Sequence, residues 1–141
     1  NGSNGASVSV SWTPSISTWY HVVVTYNASA GSATFYINGN QQGTTQIGLH
    51  NSIFNASSDI TIGRLGSVST QDFDGKIDDV RIWDDVRTST EIANNYNKEL
   101  TGTEPNLQGY WKLNNSPNDL TSNANHLTET NSPVYSTDTP F

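Results

Sequence analysis

The sequence predicts an all-β domain, and three observations support this class. Asn, Ser and Thr together make up more than a third of the 141 residues, whereas charged residues make up only 13%. These short polar side chains compete for backbone hydrogen bonds and favour strands, turns and caps over helices. Apolar and polar residues alternate in several short segments, as in strands that bury one face. The pair Asn38 and Gly39 separates two such segments, which is typical of a β-hairpin.

Seven segments are predicted as strands from their period of two and the turn residues that flank them. They are residues 6–12, 19–26, 33–37, 41–47, 59–64, 76–83 and 108–113. The segment 19–26 carries apolar or aromatic residues on both faces, so it is expected to be a central strand with both faces at least partly covered.

One short helix is predicted over about residues 88–98. Thr88 and Glu91 have the spacing of a capping box, in which the side chain of each residue accepts a hydrogen bond from the backbone N–H of the other. Ile92, Tyr96 and Leu100 follow at four-residue spacing, which places one apolar stripe along the helix. This stripe is expected to pack on the sandwich near the tryptophan at position 83.

Charge and composition exclude several classes of partner. The formal charge is −7 and the sequence pI about 4.5, so the phosphate backbone of a nucleic acid is repelled. No apolar run approaches the ~20 residues that span a bilayer, so membrane insertion is not expected. Since the chain has no Cys and no Met, disulfides and thiolate chemistry are excluded and an oxidising location is tolerated.

Four sequence blocks resemble a known family. They are WYHVVVTY, FYINGN, ITIGR and DGKIDDVRIWDDVRTSTEI, and they cover roughly residues 18–100. Their order and spacing are similar to those of the laminin-G-like, concanavalin A-like lectin/glucanase jelly rolls of bacterial surface proteins. The resemblance implies two antiparallel sheets packed as a jelly-roll sandwich, and it implies that the tryptophans inside the blocks are core or helix-packing residues.

A second resemblance concerns domain organisation. The segment GYWKLNNSPNDLTSNANHLT is similar to the opening strand and loop of the same family, yet it follows the four blocks. Residues 1–103 are therefore expected to form the main part of a jelly roll that lacks its usual first strands. Residues 104–141 either complete this unit as a permuted domain or start the next unit of a larger, tandem protein. The second alternative is favoured, because missing strands would leave open hydrogen-bonding edges.

The sequence gives little support to catalysis. The four glutamates do not share a strand with a second carboxylate two or four positions away, although retaining glycosidases need two carboxyl groups about 5–5.5 Å apart. The three histidines have no neighbouring G-x-S-x-G motif, which would mark a serine nucleophile. The chain is therefore expected not to be an enzyme.

A carboxylate at the start of the 76–83 strand is predicted to need a partner. Strict alternation places Asp78 on the same face as Val80 and Ile82, where a buried charge must be paired, hydrogen-bonded or metal-bound. The family resemblance suggests a structural calcium ion, with the possible ligands Asp78, Asp119, Asn123 and Asn125. The alternative is that Asp78 accepts backbone N–H bonds or meets an arginine, while the asparagines of the loop only form turns.

Sugar binding requires an exposed aromatic ring beside planar polar groups, because the C–H face of a sugar stacks on a ring while its hydroxyls need hydrogen-bonding partners. Trp12 and Tyr20 are the predicted platforms, and His50 and Arg64 are the predicted hydrogen-bonding residues.

Together these patterns predict a non-catalytic binding or adhesion module of an extracellular or cell-surface protein that recognises carbohydrate. The expected partners are glycans or other surface proteins. The alternative is a structural module that stacks in a tandem or fibrous assembly and has no soluble ligand. Self-association through the C-terminal segment is a further expectation, since an open sheet edge binds extended segments by β-augmentation.

Overall fold

The described part of the chain folds into two small antiparallel sheets and one short helix. The computed structural model describes residues 7–53, 59–64 and 72–141. The first sheet has the order β1 (Val22–Asn27), β2 (Ser32–Ile37), β3 (Asn40–Gln46), and the second pairs β4 (Val80–Trp83) with β5 (Leu107–Trp111). The helix α1 spans Ser89–Asn95. This mostly-β, antiparallel architecture with one short helix confirms the predicted jelly-roll class.

The β2–β3 hairpin turns at the predicted pair. Asn38 and Gly39 have φ values of 48° and 79°, as a type I′ turn requires. The turn is also bonded to the residue that precedes β1, because the N–H of His21 donates to Asn38 Oδ1 and the N–H of Asn38 donates to the His21 carbonyl, both at 2.9 Å. Local turn chemistry and a long-range contact therefore fix the same register.

The strand β1 is apolar on both faces, but its faces differ in burial. Val23 lies opposite Tyr36 in the ladder, and Tyr36 is buried. On the other face Val22 and Val24, which pair with Ile37 and Phe35, are each 58% exposed. This face is therefore only partly covered, and among the described residues β1 is an edge strand of its sheet, not the central strand that the sequence predicts.

Two predicted strands do not form. Residues 7–12 make no ladder, and residue 6 lies outside the described residues. This segment meets β3 through single contacts instead, such as the bond from the Gln42 side-chain amide to the Ser11 carbonyl at 3.2 Å. The segment 59–64 contributes one isolated bridge, between Arg64 and Asp72.

The helix α1 begins at the predicted cap. The Thr88 hydroxyl accepts from the Glu91 N–H, and the Glu91 carboxylate accepts from the Thr88 N–H, so the capping box is complete. Ile92 is buried, and the Tyr96 ring lies against Gly39 of the hairpin. The helix therefore docks on the first sheet through the stripe that the sequence predicts.

The strand β4 starts four residues later than predicted, at Val80. Asp79 has a φ of 56°, a left-handed conformation that ends regular pleating. The alternation assumed for this segment therefore fails, and the buried carboxylate is that of Asp79, not of Asp78. Asp79 forms an ion pair with Arg81.

The strand β5 comes from the C-terminal segment and pairs with β4 of the same chain. Tyr110 is fully buried, and with Leu100 and Leu107 it forms a core cluster against which Trp83 packs. Trp111 is buried as well. Segments 1–103 and 104–141 thus share one sheet.

The chain beyond β5 contacts residues that precede β1 and β4 in the sequence. Asp138 accepts a hydrogen bond from the Trp19 indole at 3.2 Å and forms an ion pair with Lys76 at 2.5 Å. Within the ranges given above, the structure contains no helix of the length and apolar character that crossing a membrane requires.

Candidate functional site

The two predicted aromatic platforms lie together. The rings of Trp12 and Tyr20 meet edge to face, with centroids 4.9 Å apart and planes at 84°. The Tyr20 hydroxyl accepts the Ser15 N–H at 3.1 Å, and Trp12 is 36% exposed. Each ring therefore uses part of its surface on the other, which leaves less of either ring for a ligand.

His50 lies elsewhere, beside a hollow on the exposed face of the first sheet. The hollow has a volume of about 280 Å³, and most of its lining is apolar, with Val8, Val24, Tyr26, Ala33, Leu49 and Ile53 beside His50 and Ser52. The His50 carbonyl accepts the Tyr26 hydroxyl. This lining offers few partners for the hydroxyl groups of a sugar.

Arg64 lies in a third place, a shallow depression of about 410 Å³ that is lined by Gly63, Arg64, Asp72, Phe73 and Ile77. We call it the Arg64 depression. Arg64 and Asp72 face each other as an antiparallel bridge, and the Phe73 N–H donates to the Gly63 carbonyl at 2.8 Å. The Thr61 hydroxyl donates to the Arg64 carbonyl at 2.7 Å, so the segment before the bridge is bonded to it.

The depression combines an ion pair with an aromatic ring. Arg64 Nε lies 3.2 Å from Asp72 Oδ1, and the two side chains are 25% and 60% exposed. Phe73 is 60% exposed. Its ring lies over Gly75, where a Cβ atom would come within 2.8 Å of Phe73 Cε1, so the absence of a side chain at Gly75 makes room for the ring.

Sequence reasoning found Arg64 but not Asp72 or Phe73 as binding residues. Asp72 belongs to a cluster of aspartates near predicted strand ends, a pattern typical of solvated sheet edges, and Phe73 lies between Asp72 and Asp74. The signal that could have identified Phe73 is its isolation, since a large apolar residue among aspartates and glycine has no apolar stripe to join. The structure does not bring Trp12, Tyr20 or His50 into this depression.

The predicted calcium ligands fall into two groups. Asp78 precedes β4, whereas Asp119, Asn123 and Asn125 belong to the loop after β5. Tyr110 of β5 directs both its N–H and its carbonyl to that loop, so the loop runs along the edge of β5 that faces away from β4.

The Asp119 carboxylate is already bonded by donors of the protein. Oδ1 accepts the N–H groups of Tyr110 and Thr121, and Oδ2 accepts the Thr121 hydroxyl and the Asn125 N–H, all at 2.9 Å. Burial raises the pKa of Asp119, but these N–H bonds outweigh it and hold the pKa below its usual range. The loop thus uses the carboxylate as an internal anchor.

These four residues, as arranged, do not fit a calcium ion. The Asp119 oxygens point at hydrogen-bond donors, and the amide groups of Asn123 and Asn125 both donate to the Gln108 carbonyl, at 3.0 and 3.3 Å. No group of three or more His, Asp or Glu side chains in the described ranges is suited to hold a metal ion. From this arrangement we expect no dependence on calcium, and chelation tests that expectation.

Asp78 has a half-buried, acidic environment. Burial raises the pKa of Asp78 to about 6, with further contributions from the negative charges of Asp79 and Glu99. Its carboxyl group therefore takes up a proton at mildly acidic pH. This property follows from the fold and needs no bound ion.

The chain belongs to the concanavalin A-like lectin/glucanases superfamily. The laminin-G-type sequence model of this family matches residues 1–93, about two thirds of the chain. No curated protein matches the chain.

Two solved structures are similar to this one. A candidate carbohydrate-binding protein from Bacteroides ovatus is 28% identical with a TM-score of 0.62, over 74% of this chain and 30% of that chain. An S-layer domain-containing protein from Clostridium thermocellum is 25% identical with a TM-score of 0.46, over 62% of this chain and 43% of that chain. The chain thus spans less than half the length of either protein.

Proposed function

We propose that this chain is a non-catalytic carbohydrate-binding module of an extracellular or cell-surface protein, and that it binds glycan at the Arg64 depression. The observation that carries the proposal is the exposed ring of Phe73 beside the Arg64–Asp72 ion pair. The carbohydrate-binding description of the similar Bacteroides ovatus protein supports the ligand class. An adhesive role at the cell surface suits a chain that has no Cys and no Met for oxidants to attack.

The chemistry of the depression suits a sugar. The Phe73 ring offers an apolar face on which the C–H groups of a pyranose stack. Guanidinium and carboxylate groups are planar, and they supply donors and acceptors respectively to pairs of hydroxyl groups. The depression is open and shallow, so it suits the end or one side of a chain better than a fully enclosed monosaccharide.

The absence of catalysis is part of the proposal, and the roles of the glutamates support it. Each of the four accepts hydrogen bonds or forms ion pairs with structural groups. Glu91 caps α1, Glu99 pairs with Lys112, Glu104 accepts the N–H groups of Thr101 and Gly102, and Glu129 accepts the Tyr135 hydroxyl. None of these contacts pairs a glutamate with a second carboxylate, as hydrolysis of a glycosidic bond requires.

A glycan array with matched variants tests the proposal. Phe73→Ala should abolish saturable binding to the glycans that the wild-type protein binds on the array. Phe141→Ala is the matched control, because it removes another exposed phenylalanine, 47% exposed, that does not line the depression. Equal binding by Phe73→Ala and the wild type would contradict the proposed site, and the absence of binding to every glycan would contradict the function.

An assembly role is the second candidate function. It is favoured by the open face of the first sheet, where Val22 and Val24 are each 58% exposed. A jelly roll normally packs such a face against a second sheet. Light scattering of the wild type and of the Val22→Thr/Val24→Thr variant tests this role: concentration-dependent polymers that the substitutions disperse would favour assembly, and a monomer in both would exclude it.

A further inference from the structure

Residues 128–141, which we call the tail, lie on the surface of the protein. They form no strand or helix, and none of them is buried. Among the described residues, the Asp138 carboxylate makes all the hydrogen bonds and ion pairs that join the tail to the rest of the chain. The other hydrogen bonds of the tail join its own members, such as the Tyr135 hydroxyl and Glu129. One side chain therefore latches the tail.

The latch consists of two donors from distant parts of the sequence. The Trp19 indole N–H donates to Asp138 Oδ1 at 3.2 Å, and the Lys76 ammonium donates to Asp138 Oδ2 at 2.5 Å. Each carboxylate oxygen thus has its own donor. The bond from the Lys76 ammonium, and after it the bond from the Trp19 indole, hold the pKa of Asp138 below its usual range, because both favour the ionised form. The two donors are therefore arranged as a receptor for one ionised carboxylate.

Trp19 and Lys76 are positioned by parts of the fold that do not include the tail. Trp19 lies two residues before His21, which is bonded to the hairpin turn through both its N–H and its carbonyl. Lys76 lies three residues before Asp79, which is buried. In the described ranges, neither the indole N–H nor the ammonium has a second partner. Both donors would therefore remain available if Asp138 left them.

The latch is accessible from solvent. The Asp138 side chain is 61% exposed and that of Lys76 is 50% exposed, while Trp19 is half-buried. An exposed ion pair of this kind contributes little to stability, so the tail is expected to open locally while the rest of the fold stays intact. A dissolved carboxylate then reaches both donors.

An acidic sugar has the chemical groups that the two residues require. Its carboxylate can replace that of Asp138, and the C–H groups of its ring can stack on the indole of Trp19. A neutral sugar offers the Lys76 ammonium only hydroxyl groups, and hydrogen bonds between two ionised groups are shorter and stronger than those. The donors therefore favour a sugar that carries a carboxylate.

We propose that Trp19 and Lys76 form a binding site for carboxylate-bearing sugars, and that Asp138 occupies this site as an internal competitor. Neither donor residue lines the Arg64 depression, so the inference does not rest on the proposed function. The tail presents its carboxylate at an effective concentration that its tether sets, on the order of mM for a short flexible linker. An external ligand must outcompete this carboxylate, so the tail inhibits the site.

An NMR titration of the full ¹⁵N-labelled chain with trigalacturonate tests the inference, because the Trp19 indole N–H gives a signal of its own. In Asp138→Ala this signal should shift saturably, with an apparent dissociation constant at least about tenfold lower than in the wild type, since the tethered competitor is removed. Asp138→Ala/Lys76→Met should lose this binding. No gain in Asp138→Ala, or a gain that survives the loss of Lys76, would overturn the inference.

The control for net charge is Asp74→Asn, which removes one negative charge two residues before Lys76 and leaves Asp138 in place. It should bind trigalacturonate no better than the wild type. An equal gain in Asp74→Asn would show that long-range charge and not the latch limits binding, and would overturn the inference. Neutral cellotriose is the ligand control, and shifts of the Trp19 indole signal as large as those with trigalacturonate would overturn the preference for carboxylates.

The mobility of the tail gives a readout that needs no ligand. The ¹H–¹⁵N heteronuclear NOE of the tail amides reports motion on the ps–ns timescale, and it should fall in Asp138→Ala but not in Asp74→Asn. Unchanged values in Asp138→Ala would show that Asp138 does not latch the tail, and would overturn the inference. Trigalacturonate shifts confined to Phe73 and its neighbours would also overturn it but would leave the proposed function intact, since they would place the sugar in the Arg64 depression.

Discussion

Asp79, which immediately precedes β4, and Arg81 of β4 form a buried ion pair, with side chains only 5% and 7% exposed. Arg81 also donates to the carbonyls of Asn95, at 2.8 Å, and Lys98, at 2.5 Å, so it joins β4 to the end of the helical segment. Asp79 has a left-handed φ of 56°, and its carboxylate lies against this arginine. The pair therefore links the second sheet to the helix that docks on the first sheet.

Removal of Arg81 alone should destabilise the fold strongly. Arg81→Met leaves a buried carboxylate without its partner, and such losses cost about 3–5 kcal/mol. The double variant Asp79→Asn/Arg81→Met should recover part of this loss, because it buries no charge. Urea unfolding of the wild type, both single variants and the double variant measures the coupling. Strictly additive effects would show that the two side chains do not interact.

The hairpin turn at Gly39 should be more sensitive to added volume than Gly48, a left-handed glycine with open space around it. Gly39 has a φ of 79° and Gly48 a φ of 78°, so Ala costs a similar backbone strain at both. A Cβ at Gly39 would lie 2.8 Å from Tyr96 Cδ1, whereas one at Gly48 meets nothing within 4 Å. Gly39→Ala should therefore lower the melting temperature by more than Gly48→Ala. Equal losses would show that α1 does not press on the turn.

Asp78 should make the protein less stable as the pH rises. The folded state raises its pKa to about 6, mainly by burial, above the usual value of about 3.9. The unfolded chain therefore releases this proton first, and the favourable contribution present below about pH 4 is lost between pH 4 and 6. Asp78→Asn should raise the melting temperature at pH 7 and make little difference at pH 4.

The control for the change in net charge is Asp74→Asn, which removes an exposed carboxylate of the same segment. The melting temperatures of both variants and the wild type are compared at pH 4 and pH 7. A stabilisation by Asp78→Asn that is the same at both pH values would contradict the linkage.

Chelation should leave the melting temperature unchanged, because the Asp119 carboxylate already accepts four hydrogen bonds from the protein. A tightly bound calcium ion at a hundredfold excess over its dissociation constant would contribute about 2.7 kcal/mol, which a melting curve detects readily. Asp119→Ala, by contrast, should destabilise the fold with or without EDTA. A drop in melting temperature with EDTA, abolished in Asp119→Ala, would establish a calcium site in this loop.

The parts of the fold that sequence predicted depend on local chemistry. The turn at Asn38 and Gly39 and the capping box of Thr88 and Glu91 are specified within a few residues, and both form as predicted. The prediction of a strand over residues 6–12 was wrong for the described residues 7–12. A ladder depends on a partner strand, which local alternation cannot identify.

The candidate site was harder to predict because it depends on long-range pairing. Arg64 and Asp72 lie eight residues apart in the sequence and meet through an isolated bridge, and the Phe73 ring lies over Gly75, which has no side chain. The burial of Asp79 was not predicted for a related reason. Its own left-handed conformation interrupts the alternation that assigned the inward position to Asp78. Single-residue conformations of this kind carry no periodic signal.

The location of the glycan on the protein is the most direct test of the central claim. An NMR titration of the ¹⁵N-labelled chain with the oligosaccharide that ranks highest on the array reports which amides sense the ligand. Saturable shifts at Arg64, Asp72 and Phe73, with Trp12 and Tyr20 unchanged, are the predicted result. Shifts confined to Trp12 and Tyr20, with the Arg64 depression silent, would contradict the account.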